Sequence, residues 1–173
     1  MTIDFGVARA VDMQSFGRAG QRTFRLRLIG AGSESASLWV EKEHLRALSL
    51  AFRQVLTRLG YAGMPSTTEA IGFPEAPDHD FRVGSIGIGF DSSSGNVVLQ
   101  LGELETEEDS TLRVQLTLDD CASLMEQMDA IIASGRPICR LCGIPMEPSG
   151  HVCVRSNGDR DQPIPDSGGG GDS

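Results

Sequence analysis

The stretch Arg22-Thr23-Phe24-Arg25-Leu26-Arg27-Leu28 alternates without a break. Phe24, Leu26 and Leu28 fall on one parity, and Thr23, Arg25 and Arg27 on the other. Side chains of an extended strand point to opposite faces in turn, so this pattern predicts a strand with one buried and one solvated face. Working outward, Ile3, Phe5 and Val7 alternate in the same way, and Leu38 and Val40 flank Trp39. Beyond them Leu45, Leu48, Phe52, Val55, Leu56 and Leu59 recur at spacings of three and four, the stripe of an amphipathic helix that Gly60 stops. The first 60 residues therefore read as three strands and a helix.

The same order returns later. Asp4, Phe5 and Val7 match Asp80, Phe81 and Val83 at an offset of 76, which also carries residues 22–28 onto 98–104, next to the alternating Val97, Leu99 and Leu101. The passage Val40-Glu41-Lys42-Glu43 lands on Leu116-Thr117-Leu118-Asp119. Three identities alone are within the reach of chance, and it is the shared order of elements that favours duplication. In the second half Phe81 and Val83 alternate, Ile86, Ile88 and Phe90 take the other parity, and the Gly84-Ser85 step between them predicts a bulge. Asp91 to Asn96 reads as a hairpin turn, and Leu112, Val114 and Leu116 as a third strand. Thr117 is placed to cap a helix with Cys121, Leu124, Met125, Met128, Ile131 and Ile132 on its apolar stripe. The expected fold class is α+β: two pseudo-repeated βββα units with antiparallel sheets packed by helices, plus a small C-terminal zinc ribbon. The expected boundaries are 1–60 and 80–135 for the units, 61–79 for a connecting loop, 136–158 for the ribbon and 159–173 for a disordered tail.

The chain has 173 residues and a net charge of −9, unevenly spread. Residues 1–58 hold nine Arg/Lys and five Asp/Glu, whereas 59–135 hold two basic and fourteen acidic residues. A globally acidic protein is a poor generic binder of nucleic acid, because phosphate neutralisation needs a cationic surface. No secretory n-region and h-region pattern and no long apolar run is present, so a cytoplasmic protein with no membrane attachment is expected.

Four cysteines are too sparse for a disulfide scaffold, but three of them cluster. Cys139 and Cys142 form a C-x-x-C-G knuckle, and His151 and Cys153 follow at i and i+2, on one face of an extended segment. Four N/S donors in two pairs are what a closed tetrahedral structural zinc site requires, so Zn is the expected cofactor. A redox pair would open a helix, whereas here glycine and proline follow; a chance cluster without metal is the third possibility. Cys121 lies on the helix stripe as a buried thiol, and His44 and His79 have no nucleophile beside them in sequence. Gly84-Ser-Ile-Gly87-Ile-Gly89 lacks phosphate-loop spacing and a following helix. Glu41 and Glu43 suit a helix start, and the acidic run from Glu103 to Asp109 suits a solvated hairpin loop.

Arg18 and Arg22 flank flexible glycines, and Arg25 and Arg27 share the exposed parity of the next strand. Forked guanidinium groups in this pattern suit a phosphate or an acidic partner; the competing reading pairs them with the acidic half of the chain.

G-R-x-G-Q-R-T-F from Gly17, S-L-W-V-E-K-E-H-L from Ser37 and G-R-P-x-C-x-L-C-G…G-H-V-C from Gly135 together resemble a bacterial family, found mainly in actinobacteria, known as domain of unknown function DUF3090. The resemblance covers nearly the whole chain except the tail; the family pattern has proline where Ala19 stands. It implies companionship with a phosphatase-like mutase and a phosphoinositide-kinase-like protein, hence a protein partner, and it implies no catalytic residue. The expectation is a non-catalytic, zinc-stabilised adaptor, more readily than an enzyme, with Arg18, Arg22, Arg25 and Arg27 as its partner surface. Two alternatives are a single-stranded nucleic-acid module using Trp39, Tyr61 and Phe24, disfavoured by charge, and an enzyme or sensor for a phosphorylated ligand at the arginine face.

Overall fold

The parity of residues 22–28 is realised directly. Phe24, Leu26 and Leu28 are buried, while Thr23, Arg25 and Arg27 keep contact with solvent. The computed structural model describes residues 1–18, 20–64, 72–105, 107, 110–134 and 141. Within them the order is β1 (Thr2–Val7), β2 (Ala10–Phe16), β3 (Thr23–Ile29), β4 (Ser35–Val40), α1 (Lys42–Arg58), β5 (His79–Asp91), β6 (Asn96–Glu103), β7 (Thr111–Leu116) and α2 (Leu118–Ser134). Met1–Ile132 forms one compact unit, and Ala133–Ser173 is a separate one.

The fold is mixed α+β, as expected, but the strands form one seven-stranded sheet in the order β1-β7-β6-β5-β4-β3-β2 rather than two antiparallel sheets. Two pairings are parallel, β1 with β7 and β4 with β5; the other four are antiparallel. The first half has four strands where sequence reading gave three, because β2 pairs with β3 along its whole length.

This order requires the sheet to curl. Its two edge strands, β1 and β2, are separated in sequence only by Ala8 and Arg9. Seven strands laid flat put their edges about 29 Å apart, whereas two residues bridge about 10 Å at most. The junction shows how the edges meet: Ala8 N–H donates to Gln115 O of β7, and Arg9 N–H donates to Ile29 O of β3. β1 and β2 thus act as one bent strand, paired with β7 on its first part and β3 on its second. β5 repeats this behaviour, pairing with β4 through His79–Arg82 and with β6 from Val83 onward, with a register shift between Val83 and Ser85 at the expected bulge. An offset of 76 relates β4 and α1 to β7 and α2. It also relates the parallel pairs Ile3–Leu112 and Asp4–Arg113 to His79–Ala36 and Asp80–Ser37.

The core is continuous from strands to helices. Leu45, Leu48, Phe52 and Leu56 of α1 and Cys121, Leu124 and Met128 of α2 join Leu26, Leu38, Leu99 and Leu112 in one buried cluster. Each such side chain contributes about 1.5–3 kcal/mol of transfer free energy. Glu41 is the N-cap of α1, and its backbone N–H donates to His44 Nδ1 at 3.1 Å. Gly60, at φ 63°, ends the helix: Tyr61 N–H reaches Leu56 O and Gly60 N–H reaches Thr57 O, closing the last turn as a Schellman motif. Thr117 Oγ1 accepts from Asp120 N–H at 3.1 Å, the cap expected for α2. Ser49 of α1 donates to Asp129 of α2, which also takes Arg53. No helix among the described residues is long and apolar enough to cross a membrane.

Candidate binding face

Directly opposed residues on neighbouring strands project to the same side of a sheet. Register therefore assembles two outward rows across β2, β3, β4 and β5. One is Gln14–Arg25–Trp39–Arg82, and the other is Asp12–Arg27–Ser37–Asp80. Two of the four predicted arginines stand at the centre of this face.

Arg25 is the focus. Its Nε and Nη2 donate to Gln14 Oε1 at 3.1 and 2.6 Å. Its guanidinium lies 4.9 Å from the Phe16 ring centre and 5.4 Å from that of Trp39, whose rings are themselves 6.1 Å apart. Phe16 remains 42% exposed, so this cation–π cluster faces solvent. Trp39 Nε1 donates to Asp80 Oδ1 at 2.8 Å, which fixes the indole orientation. Arg27 makes a fork with Asp12 and lies 4.1 Å over the Phe73 ring. Its carboxylate partner comes from the adjacent strand of the same half, not from the acidic half. Arg22 Nη1 donates to Ile131 O of α2 at 2.8 Å. Arg18 is exposed in the turn after β2, where its carbonyl accepts from Gln21 N–H.

Where β4 and β5 meet the start of α1, Arg22, Trp39, Glu41, Asp80 and Arg82 line an open cleft of about 710 Å³. Arg82 Nη2 holds Glu41 Oε1 at 3.1 Å, with both side chains about two-thirds exposed. Such a pair is worth little to stability and leaves the rim adaptable.

The structure redistributes the aromatic residues. Phe24 is buried, and Tyr61 hydroxyl donates to Asp119 Oδ1 at 2.6 Å, away from this face. That bond and the nearby carboxylates push the Tyr61 pKa up to about 12. Of the three proposed stacking residues only Trp39 stands here, joined by Phe16 and Phe73, which sequence reading missed. Phe16 was within reach: Asp12, Gln14 and Phe16 share one parity opposite the buried Val11 and Met13.

His44 serves the start of α1, the His79 ring sits 5.8 Å from that of Phe5, and Cys121 is fully buried, its thiol pushed up to about 12 mainly by burial. No group of three or more His, Cys, Asp or Glu able to hold a metal occurs among the described residues. Cys139, Cys142, His151 and Cys153 lie outside them.

No curated protein and no solved structure matches the chain. The model of one family, "Protein of unknown function (DUF3090)", matches residues 4–153, a span that takes in the sheet from Asp4 onward, both helices and the Cys/His cluster, and the chain belongs to that family.

Proposed function

We propose that the chain is a non-catalytic interaction protein, held at its C-terminal end by structural zinc, which presents the outer face of β2–β5 to a protein partner. The observation that carries this reading is the Phe16–Arg25–Trp39 cluster, in which exposed Phe16 stands beside half-buried Arg25 and Trp39. Tryptophan, arginine and other aromatic residues dominate the binding energy of protein interfaces, because they bury large area at low entropic cost and keep a polar end for registry. The structural duties of His44, His79 and Cys121 support an adaptor over an enzyme.

The zinc half rests on donor chemistry. Cys139, Cys142, His151 and Cys153 supply two N/S pairs, sufficient for a closed tetrahedral site. The bound ion would supply folding energy to a segment rich in glycine and proline. The equal offsets of elements and parallel pairs support duplication of a strand-and-helix unit, with each half lending its first strand to the other.

Purified protein should contain about one zinc per chain, reduced in Cys139→Ser and His151→Ala. Binding to the phosphatase-like mutase and the phosphoinositide-kinase-like companion tests the face. Trp39→Ala should lose the partner while keeping its zinc and its melting transition. A Trp39→Ala protein that folds and keeps both companions contradicts the partner reading.

A further inference from the structure

We infer that the face around Arg25 and Trp39 recognises a short carboxylate-rich peptide segment of the partner. This rests on the partner-surface reading and narrows it to one chemistry.

The internal symmetry separates what the fold needs from what has been added. The offset of 76 carries Trp39, Glu41, Asp80 and Arg82 onto Gln115, Thr117, Asp4 and Gly6. That second position builds the same parallel pairing, β1 on β7, at Ile3–Leu112 and Asp4–Arg113, then shifts register to set Val7 opposite Gln115, with no aromatic ring or surface cation at Gln115, Thr117, Asp4 or Gly6. Gln115 Oε1 accepts from Asn96 Nδ2 at 3.2 Å, and Asp4 pairs with Arg113 at 2.9 Å. The sheet therefore closes equally well with small polar residues. Trp39 and Arg82 exceed that requirement, as expected of residues kept for a ligand.

The hydrogen-bonding inventory sets the ligand's chemistry. Asp80 accepts the Trp39 N–H, Glu41 holds Arg82, and Asp12 holds Arg27. Among the described residues, in contrast, Arg25 has only the neutral Gln14 as its hydrogen-bond acceptor. No carboxylate among the described residues pairs with it, and the exposed Arg18 lies in the turn joining β2 to β3. Counted by charge, Arg18, Arg22, Arg25, Arg27 and Arg82 on and beside this face outnumber Asp12, Glu41 and Asp80, so the surplus is cationic beside an aromatic surface, the complement of a carboxylate with an apolar neighbour. Four strands span about 14 Å, which four to five residues of extended peptide cover.

Trp39 is the chain's single tryptophan, so its emission reports on this cleft alone. We would titrate the full chain with an octaglutamate peptide and, separately, with an eight-nucleotide oligothymidylate. The peptide should give a saturable change in Trp39 emission that weakens with added salt. Arg25→Gln should weaken binding about tenfold, the loss of one charge-assisted contact, while melting near the wild type. Arg113→Gln, at the symmetry-related pairing, should bind as the wild type does. Unsaturable emission, or equal affinity in Arg25→Gln, overturns the proposal. Tighter binding of the oligonucleotide also overturns it, in favour of a nucleic-acid face. If the peptide fails while Trp39→Ala still loses the protein partner, the acidic chemistry is wrong and the partner surface stands.

Discussion

Substituting Gly30 by alanine tests the closure of the sheet. Gly30 follows β3 at the point where β1 passes: Ala31 N–H donates to Phe5 O at 2.8 Å. A Cβ on Gly30 would lie 2.8 Å from that same oxygen and 3.0 Å from Phe5 Cγ. Phe5 is 1% exposed and its carbonyl is engaged, so neither obstacle swings aside as a surface side chain would. Overpacking of this kind costs about 1–3 kcal/mol. Unfolding entropy of roughly 2.1 cal/mol/K per residue gives about 0.28 kcal/mol/K for the compact unit, so ~2 kcal/mol lowers Tm by about 7 °C. Gly89→Ala is the control, since nothing lies within 4 Å of its Cβ position and its backbone is not left-handed. That change should be neutral or stabilising by about 0.4–1 kcal/mol through the unfolded chain. In circular dichroism melts Gly30→Ala should lower Tm, whereas Gly89→Ala should leave it unchanged or raise it. Equal shifts would refute the close approach of β1 to the end of β3, and with it the curled sheet.

Three further outcomes follow from named groups. The phenolate absorbance of Tyr61, the only tyrosine, should titrate near pH 12, and Asp119→Asn should bring it back toward 10. Cys121 should resist alkylation in the native protein and react on unfolding, because burial holds its thiol at about 12. Asp78 accepts from both the backbone and the hydroxyl of Ser35, which depresses its pKa below the ordinary carboxylate value. A depressed folded pKa adds stability above the unfolded value and loses it as pH falls through the folded one. Asp78→Asn should therefore be less stable than the wild type at neutral pH, with the gap closing below pH ~4 in denaturant titrations.

Alternation and helical periodicity made the elements legible because both report burial, which each residue encodes locally. The stripe from Leu45 to Leu56 and that from Cys121 to Met128 are buried, and the Gly84-Ser85 parity switch marks the register shift. Which strand neighbours which is encoded non-locally. Nothing in the Ile3–Val7 pattern names β7 as its partner, and the parallel pairings and the curl of the sheet were invisible for that reason. β2 was overlooked although Val11 and Met13 alternate with Asp12 and Gln14, because Ala10 and Ser15 weaken the contrast. Ile88 and Phe90 follow strand parity yet remain partly exposed, since the distal part of β5 pairs only with β6. Arg25 and Arg27 were placed on one face by parity alone. Their partners, Gln14 and Asp12, belonged to the unrecognised strand.

The most direct measurement is binding of the two proposed partners, a phosphatase-like mutase and a phosphoinositide-kinase-like protein, to the wild-type chain and to Arg25→Glu, by calorimetry. Arg25 makes no ion pair among the described residues and reaches both aromatic rings. Charge reversal there should abolish or severely weaken association with one companion, while zinc content and melting temperature stay near wild type. Undiminished binding by a folded Arg25→Glu protein would contradict the account, because the partner would then dock elsewhere.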